Sequence, residues 1–147
     1  MPRKLRIQYE GAIYHLMNRG DHGEDIFLDD DDRELFLKTL GEASLKTEWQ
    51  VHAWRLMRNH FHLVLETPKA NLVDGMKWLL GTYTIRFNRR HKLFGHLFSG
   101  RYKALPVDGS GSGYLKSVCD YVHLNPARAK LIAAKAKLSE FRWSSYP

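Results

Sequence analysis

His60 and His62 flank Phe61 in the run Asn59-His60-Phe61-His62-Leu63-Val64-Leu65-Glu66. Residues 60–67 contain no Gly or Pro and suit a pleated surface, so the stretch reads as a strand. Residues two apart on a strand point to one face. The two imidazoles therefore project side by side, and Phe61 turns the other way into a core. Such a pair can grip one metal ion, because the strand fixes the spacing beforehand. A His-x-His on a strand is more often a pair of solvated or hydrogen-bonded side chains, so the motif needs a second half.

That half lies about sixty residues on. Tyr121 and Asn125 are four apart in residues 114–125, which read as a helix ending before Pro126, so they share a face. Two imidazoles and the Asn125 oxygen would hold a divalent cation with open positions, and mixed N/O ligands suit Mg²⁺ or Mn²⁺. A cation there polarises a phosphodiester, and Tyr121 could attack phosphorus to give a phosphotyrosine. A free tyrosine titrates near ~10, and nearby cationic charge is what lowers it. Both residues also have plainer roles. Tyr121 could bury its ring in a core, and Asn125 could cap the following helix with Pro126 at its first position. His52 and His123 could approach the site, though nothing in their spacing demands it.

The rest of the chain must position these groups. Residues 12–19 read as a strand ended by Gly20, with His15 as a half-exposed strand residue, and 20–25 as a polar loop. Asp29 to Asp32 are four adjacent acids, which suit a helix start better than a metal site. That helix runs to about residue 46, with Leu35, Phe36, Leu40 and Ala43 on one face. Residues 49–57 form a second strand, in which Val51, Ala53 and Arg55 alternate with His52, Trp54 and Leu56. Residues 57–59 make a tight turn, so the histidine strand pairs in an antiparallel hairpin inside the sheet. Asn71 then caps a helix to about residue 91, with Leu72, Met76, Leu79, Tyr83 and Phe87 buried. Residues 102–107 read as a last strand. Residues 109–113 are Gly/Ser-rich and read as a hinge before the Tyr121 helix. A short helix at 127–136 and a tail carrying Phe141 and Trp143 follow.

Composition narrows the partners. The chain has 147 residues, 44% of them hydrophobic, which suits one folded domain with a real core. Net charge is +7 and the sequence pI is near 9.6, which favours a polyanion such as nucleic acid. Arg86, Arg89, Arg90, His91, Lys92, His96, Arg101 and Lys103 are interleaved with Phe94, Phe98 and Tyr102. Cations neutralise phosphates and aromatic faces stack unpaired bases, so this mixture suits single-stranded nucleic acid. The single cysteine, Cys119, excludes an internal disulfide and fits a reducing cytoplasm. No signal peptide is expected, and no stretch approaches the roughly 18 apolar residues of a membrane span.

Taken in order, these residues are similar to a known family. Tyr14-His15, Arg19-Gly20, Leu56-Met57, Asn59-His60-Phe61-His62-Leu63 and Gly81-Thr82-Tyr83 carry the first part. Arg86-Phe87-Asn88-Arg89-Arg90, Gly95-His96-Leu97-Phe98 and Gly100-Arg101-Tyr102-Lys103 follow. Tyr121-Val122-His123-Leu124-Asn125-Pro126, Arg128-Ala129 and Trp143-Ser144-Ser145-Tyr146 complete the set. The chain resembles the single-tyrosine HUH transposases, especially the transposase-like proteins associated with repetitive extragenic palindromes.

The resemblance implies one α+β domain over residues 1–147, an antiparallel sheet with packed helices in a ferredoxin-like arrangement. It implies that His60, His62 and Asn125 bind the metal and that Tyr121 is the nucleophile. It further implies hairpin-containing single-stranded DNA as substrate, a 5′-phosphotyrosine link, a free 3′-OH, and a monomer or homodimer. Arg19, Arg58, Arg86, Arg89, Arg90, Lys92, Arg101 and Lys103 are the candidate DNA contacts. Relatives often carry Pro where this chain has Arg58. A non-catalytic protein that binds DNA or RNA on the same fold is the alternative.

Overall fold

The structure is a computed structural model that describes residues 8–107 and Cys119. Tyr121, Asn125, His123, the Gly/Ser stretch and the helices expected beyond it lie outside the described residues, apart from Cys119, which is helical.

The elements are β1 (Ala12–Arg19), α1 (Asp30–Thr47), β2 (Gln50–Leu56), β3 (His60–Thr67), α2 (Leu72–His91) and β4 (Lys103–Val107), with a short 3₁₀ turn at Asp21–Gly23. The sheet order is β2-β3-β1-β4, and every neighbouring pair is antiparallel. This is the split βαβ pattern of the ferredoxin-like fold, with the histidine strand β3 in the interior as expected. Met57 N–H donates to the His60 carbonyl at 2.9 Å and closes the β2–β3 hairpin over Arg58 and Asn59.

Both helices bury their apolar stripes against one sheet face. Leu72, Met76, Leu79, Tyr83 and Phe87 of α2 meet Phe36, Leu40 and Ala43 of α1, and Tyr14, Leu16, Phe61, Leu63 and Leu65 of the sheet. Burying one such side chain stabilises by about 1.5–3 kcal/mol. Phe61 is fully buried, and its ring lies 5.1 Å from Phe36 and 5.9 Å from Phe98. That anchor fixes the pleat of β3, and so the direction in which His60 and His62 must point. Gly75 permits the close approach of α2 to Trp49, since a Cβ there would strike the indole ring.

Two local details differ from the sequence reading, and a third agrees with it. The β2–β3 register shifts between Val51 and Ala53, leaving His52 as an extra residue. The bulge turns Val51 to the helix face with Trp54 and Leu56, while Ala53 and Arg55 face the other side. Strict alternation along β2 fails for that reason. Asn71 occupies the N-cap position of α2 but makes no side-chain cap bond. Its amide is already committed, accepting from Trp49 Nε1 at 3.0 Å and donating to the Thr47 carbonyl at 3.0 Å. The four acids do start α1: Asp29 caps it by accepting the Asp32 N–H at 2.9 Å.

Candidate active site

The sheet face away from the helices has two halves. Ile13, Ala53, Val64 and Val107 form a small apolar patch, and half-buried Cys119 packs on it. The one described residue of the C-terminal segment therefore sits on the face that carries the histidines. The other half is polar. Arg55, His62, Met17 and Lys103 make one row across the four strands, and Arg19 stands opposite His60 in the next.

The pleat places His60 and His62 side by side, with ring centroids 5.2 Å apart and planes at 83°. Each ring is held at its Nδ1. His60 Nδ1 donates to Asn59 Oδ1 at 2.8 Å. His62 Nδ1 lies 3.1 Å from Nε2 of His15, which stacks on it at 25° with centroids 5.3 Å apart. A neutral imidazole carries one N–H, so engagement of Nδ1 as donor leaves Nε2 with the lone pair a metal needs.

Burial sets the protonation state. His62 is buried and its pKa is pushed down to about 3, first by loss of solvent, then by His60, His15 and Arg55. Burial lowers His15 as well. Both rings are thus neutral near pH 7. Arg55 is wholly buried, and burial lowers its guanidinium to about 10, so it keeps its charge beside His62. Reading the sequence missed this cation. The available signal was an arginine on a strand whose register partner is a histidine.

The donor set fits a divalent cation in part. Among the described residues, no group of three or more His, Cys, Asp and Glu side chains is arranged to hold a metal ion. The histidine pair supplies two correctly presented nitrogens, and Asn125, the expected third ligand, lies outside the described residues with Tyr121. His52 does not join the pair; it meets Glu66 at 3.2 Å beside the bulge.

The expected DNA contacts fall into two groups. Arg19, Arg101 and Lys103 come together with Met17, Asn18 and Ser99 around a cavity of about 250 Å³ beside His60. Buried Asn18 accepts the Arg19 N–H at 2.8 Å, and its Nδ2 meets no hydrogen-bond partner among the described residues. Arg89 and Lys92 are exposed at the end of α2. Three other arginines of the expected set pair with acids of the chain. Arg86 pairs with Glu42 at 2.8 Å and Thr39 at 3.0 Å. Arg90 reaches Asp29 and Asp32 at 2.7 Å and Asp31 at 3.4 Å. Arg58 pairs with Asp25 at 3.0 Å, and its carbonyl accepts the N–H groups of Ile26 and Phe27. A larger concavity of about 690 Å³ lies between α2 and residues 96–102, where Lys77, His96 and Arg101 stand among Phe98 and Tyr102.

Known proteins match this fold. The chain is similar in fold to a REP-associated tyrosine transposase bound to a REP hairpin, at 11% identity and a TM-score of 0.80, over 99% of this chain and 83% of that one. It is also similar to a protein of Deinococcus radiodurans R1 assigned as a transposase, at 19% identity and a TM-score of 0.56, over 82% of this chain and 97% of that one. No curated protein matches it. The family described as "Transposase IS200 like" matches residues 8–125, which takes in the whole sheet, both helices and the histidine strand. The chain belongs to that family of IS200-like transposases.

Proposed function

We propose that this transposase cuts and rejoins single-stranded, hairpin-containing DNA through a covalent phosphotyrosine at Tyr121. The observation that carries the reading is the histidine pair. His60 and His62 sit side by side on the sheet face opposite α1 and α2, each with its Nδ1 engaged. His60, His62 and Asn125 would hold Mg²⁺ or Mn²⁺, which supplies a Lewis acid for the scissile phosphate.

The chain's own groups then do the following. Arg19, Arg101 and Lys103 take the phosphates flanking the site and hold the strand across the sheet edge. The Tyr121 oxygen forms a bond to phosphorus, the bond from phosphorus to the 3′ oxygen breaks, and the phenolic proton ends on that 3′-OH. Arg55 adds fixed positive charge beside His62 in the same row. Attack by a DNA 3′-OH on the phosphotyrosine reverses the step and joins a new strand. A hairpin is the proposed substrate because a structure of similar fold, matched over 99% of this chain, is bound to one.

The test is nicking of labelled single-stranded hairpin DNAs with Mn²⁺ or with chelator. Cleavage that needs Mn²⁺ and is lost in His60→Ala, His62→Ala and Tyr121→Phe supports the reading. Tight, metal-independent binding without cleavage across the panel favours a binding-only protein instead.

A further inference from the structure

We infer that His15 is a positioning residue for His62: its Nε2 accepts the His62 Nδ1–H and holds that ring with Nε2 turned toward the metal. The inference rests on the metal reading above and assigns a role to a residue outside the ligand set.

The geometry is specific. His15 lies on β1 opposite Val64, so it reaches His62 diagonally, two residues along the neighbouring strand. The contact is 3.1 Å from His15 Nε2 to His62 Nδ1, with the ring planes only 25° apart. His15 therefore addresses the side of His62 away from the nitrogen a metal would take. A buried neutral imidazole can place its one N–H on either nitrogen. With the proton on Nε2, His62 cannot ligate at that atom. An acceptor fixed at Nδ1 selects the competent form and stops the ring from rotating. His60 receives the same service from the Asn59 side-chain oxygen at 2.8 Å. The two ligands are thus held by different neighbours, one local in the chain and one across the sheet.

Binding of Mn²⁺ to the full chain, followed by electron paramagnetic resonance without DNA, tests this. The wild type should bind one ion, and His62→Ala should lose it. His15→Phe removes the acceptor and should weaken binding roughly 10- to 100-fold. His15→Gln places an amide oxygen at similar reach and should restore affinity to within about threefold of wild type. Wild-type affinity in His15→Phe, with binding lost in His62→Ala, would overturn the positioning role and leave the metal site standing. If the wild type binds no Mn²⁺, or His62→Ala binds as well as wild type, the metal reading fails and this inference goes with it. A second measurement needs no variant. A ¹H–¹⁵N spectrum of the Mg²⁺-loaded wild type should show His62 protonated at Nδ1, and protonation at Nε2 contradicts the proposal.

Discussion

Arg19 stands directly opposite His60 in the β1–β3 ladder, so a guanidinium rises beside the first histidine of the pair. Cross-strand partners sit about 5 Å apart at Cβ, which puts this cation within one phosphate spacing of the proposed metal site. Arg19→Gln, Arg101→Gln and Lys103→Gln should each weaken binding of single-stranded DNA. Each should also lower the slope of log K against log salt by about 0.7, as expected when one phosphate contact is lost. Fluorescence anisotropy across a salt series measures both quantities. An unchanged slope in all three would remove the cavity beside His60 from the DNA path.

Arg90 pairs with the acids that open α1. Its partners include Asp32, which is fully buried, caps the approach to α1 by accepting the Leu28 N–H at 2.9 Å, and meets His91 at 2.8 Å. Asp32→Ala strips these donors of their acceptor and should cost about 3 kcal/mol of stability in urea denaturation. DNA affinity of the remaining folded protein should change little. A mild stability loss with a large affinity loss would move this cluster from the fold to the interface.

Acid should destabilise the fold through His62. Its folded pKa of about 3 lies below the ordinary 6.5, so the unfolded chain binds more protons between those values. Stability must therefore fall as pH drops from 6.5 toward 3, by roughly 1 kcal/mol per pH unit for one such group. Burial of His15 adds in the same direction. Arg90 beside Asp29 holds that carboxyl below its usual range, which adds a loss of the same sign at lower pH. Urea melts in chelator at pH 7, 6 and 5 should show the trend, and His62→Gln should flatten it. Equal slopes in the two proteins would mean that His62 is protonated in the folded state.

We propose that residues 109–113 act as a hinge for the segment carrying Tyr121. Replacing them with a rigid segment should slow cleavage and strand exchange while leaving DNA affinity intact. Anisotropy and nicking on the same samples separate the two, and equal loss of binding counts against the hinge.

Much of the scaffold was legible in the chain. The bounds of β1, β3 and α2 followed from their periods and from Gly20, Pro68 and the five-residue apolar stripe of α2. The direction of His60 and His62 followed from Phe61. What local reasoning missed depended on partners far away in sequence. Nothing near Arg86 or Arg90 announces the α1 acids that face them. Nothing at Asn71 announces the Trp49 indole that takes its amide. His15 read as an ordinary strand residue because its partner lies 47 positions on. The bulge at His52 was hidden because it is decided by the pairing with β3.

The most direct test is the identity of the covalent bond. The protein would be incubated with Mn²⁺ and a hairpin DNA carrying a single-stranded flank. The adduct would then be digested and its linked peptide read by mass spectrometry. The account predicts a nucleotide joined through its 5′ phosphate to Tyr121, a free 3′-OH on the released fragment, and no adduct with Tyr121→Phe or chelator. Attachment at another residue such as Tyr114, or an adduct that persists in Tyr121→Phe, would contradict it.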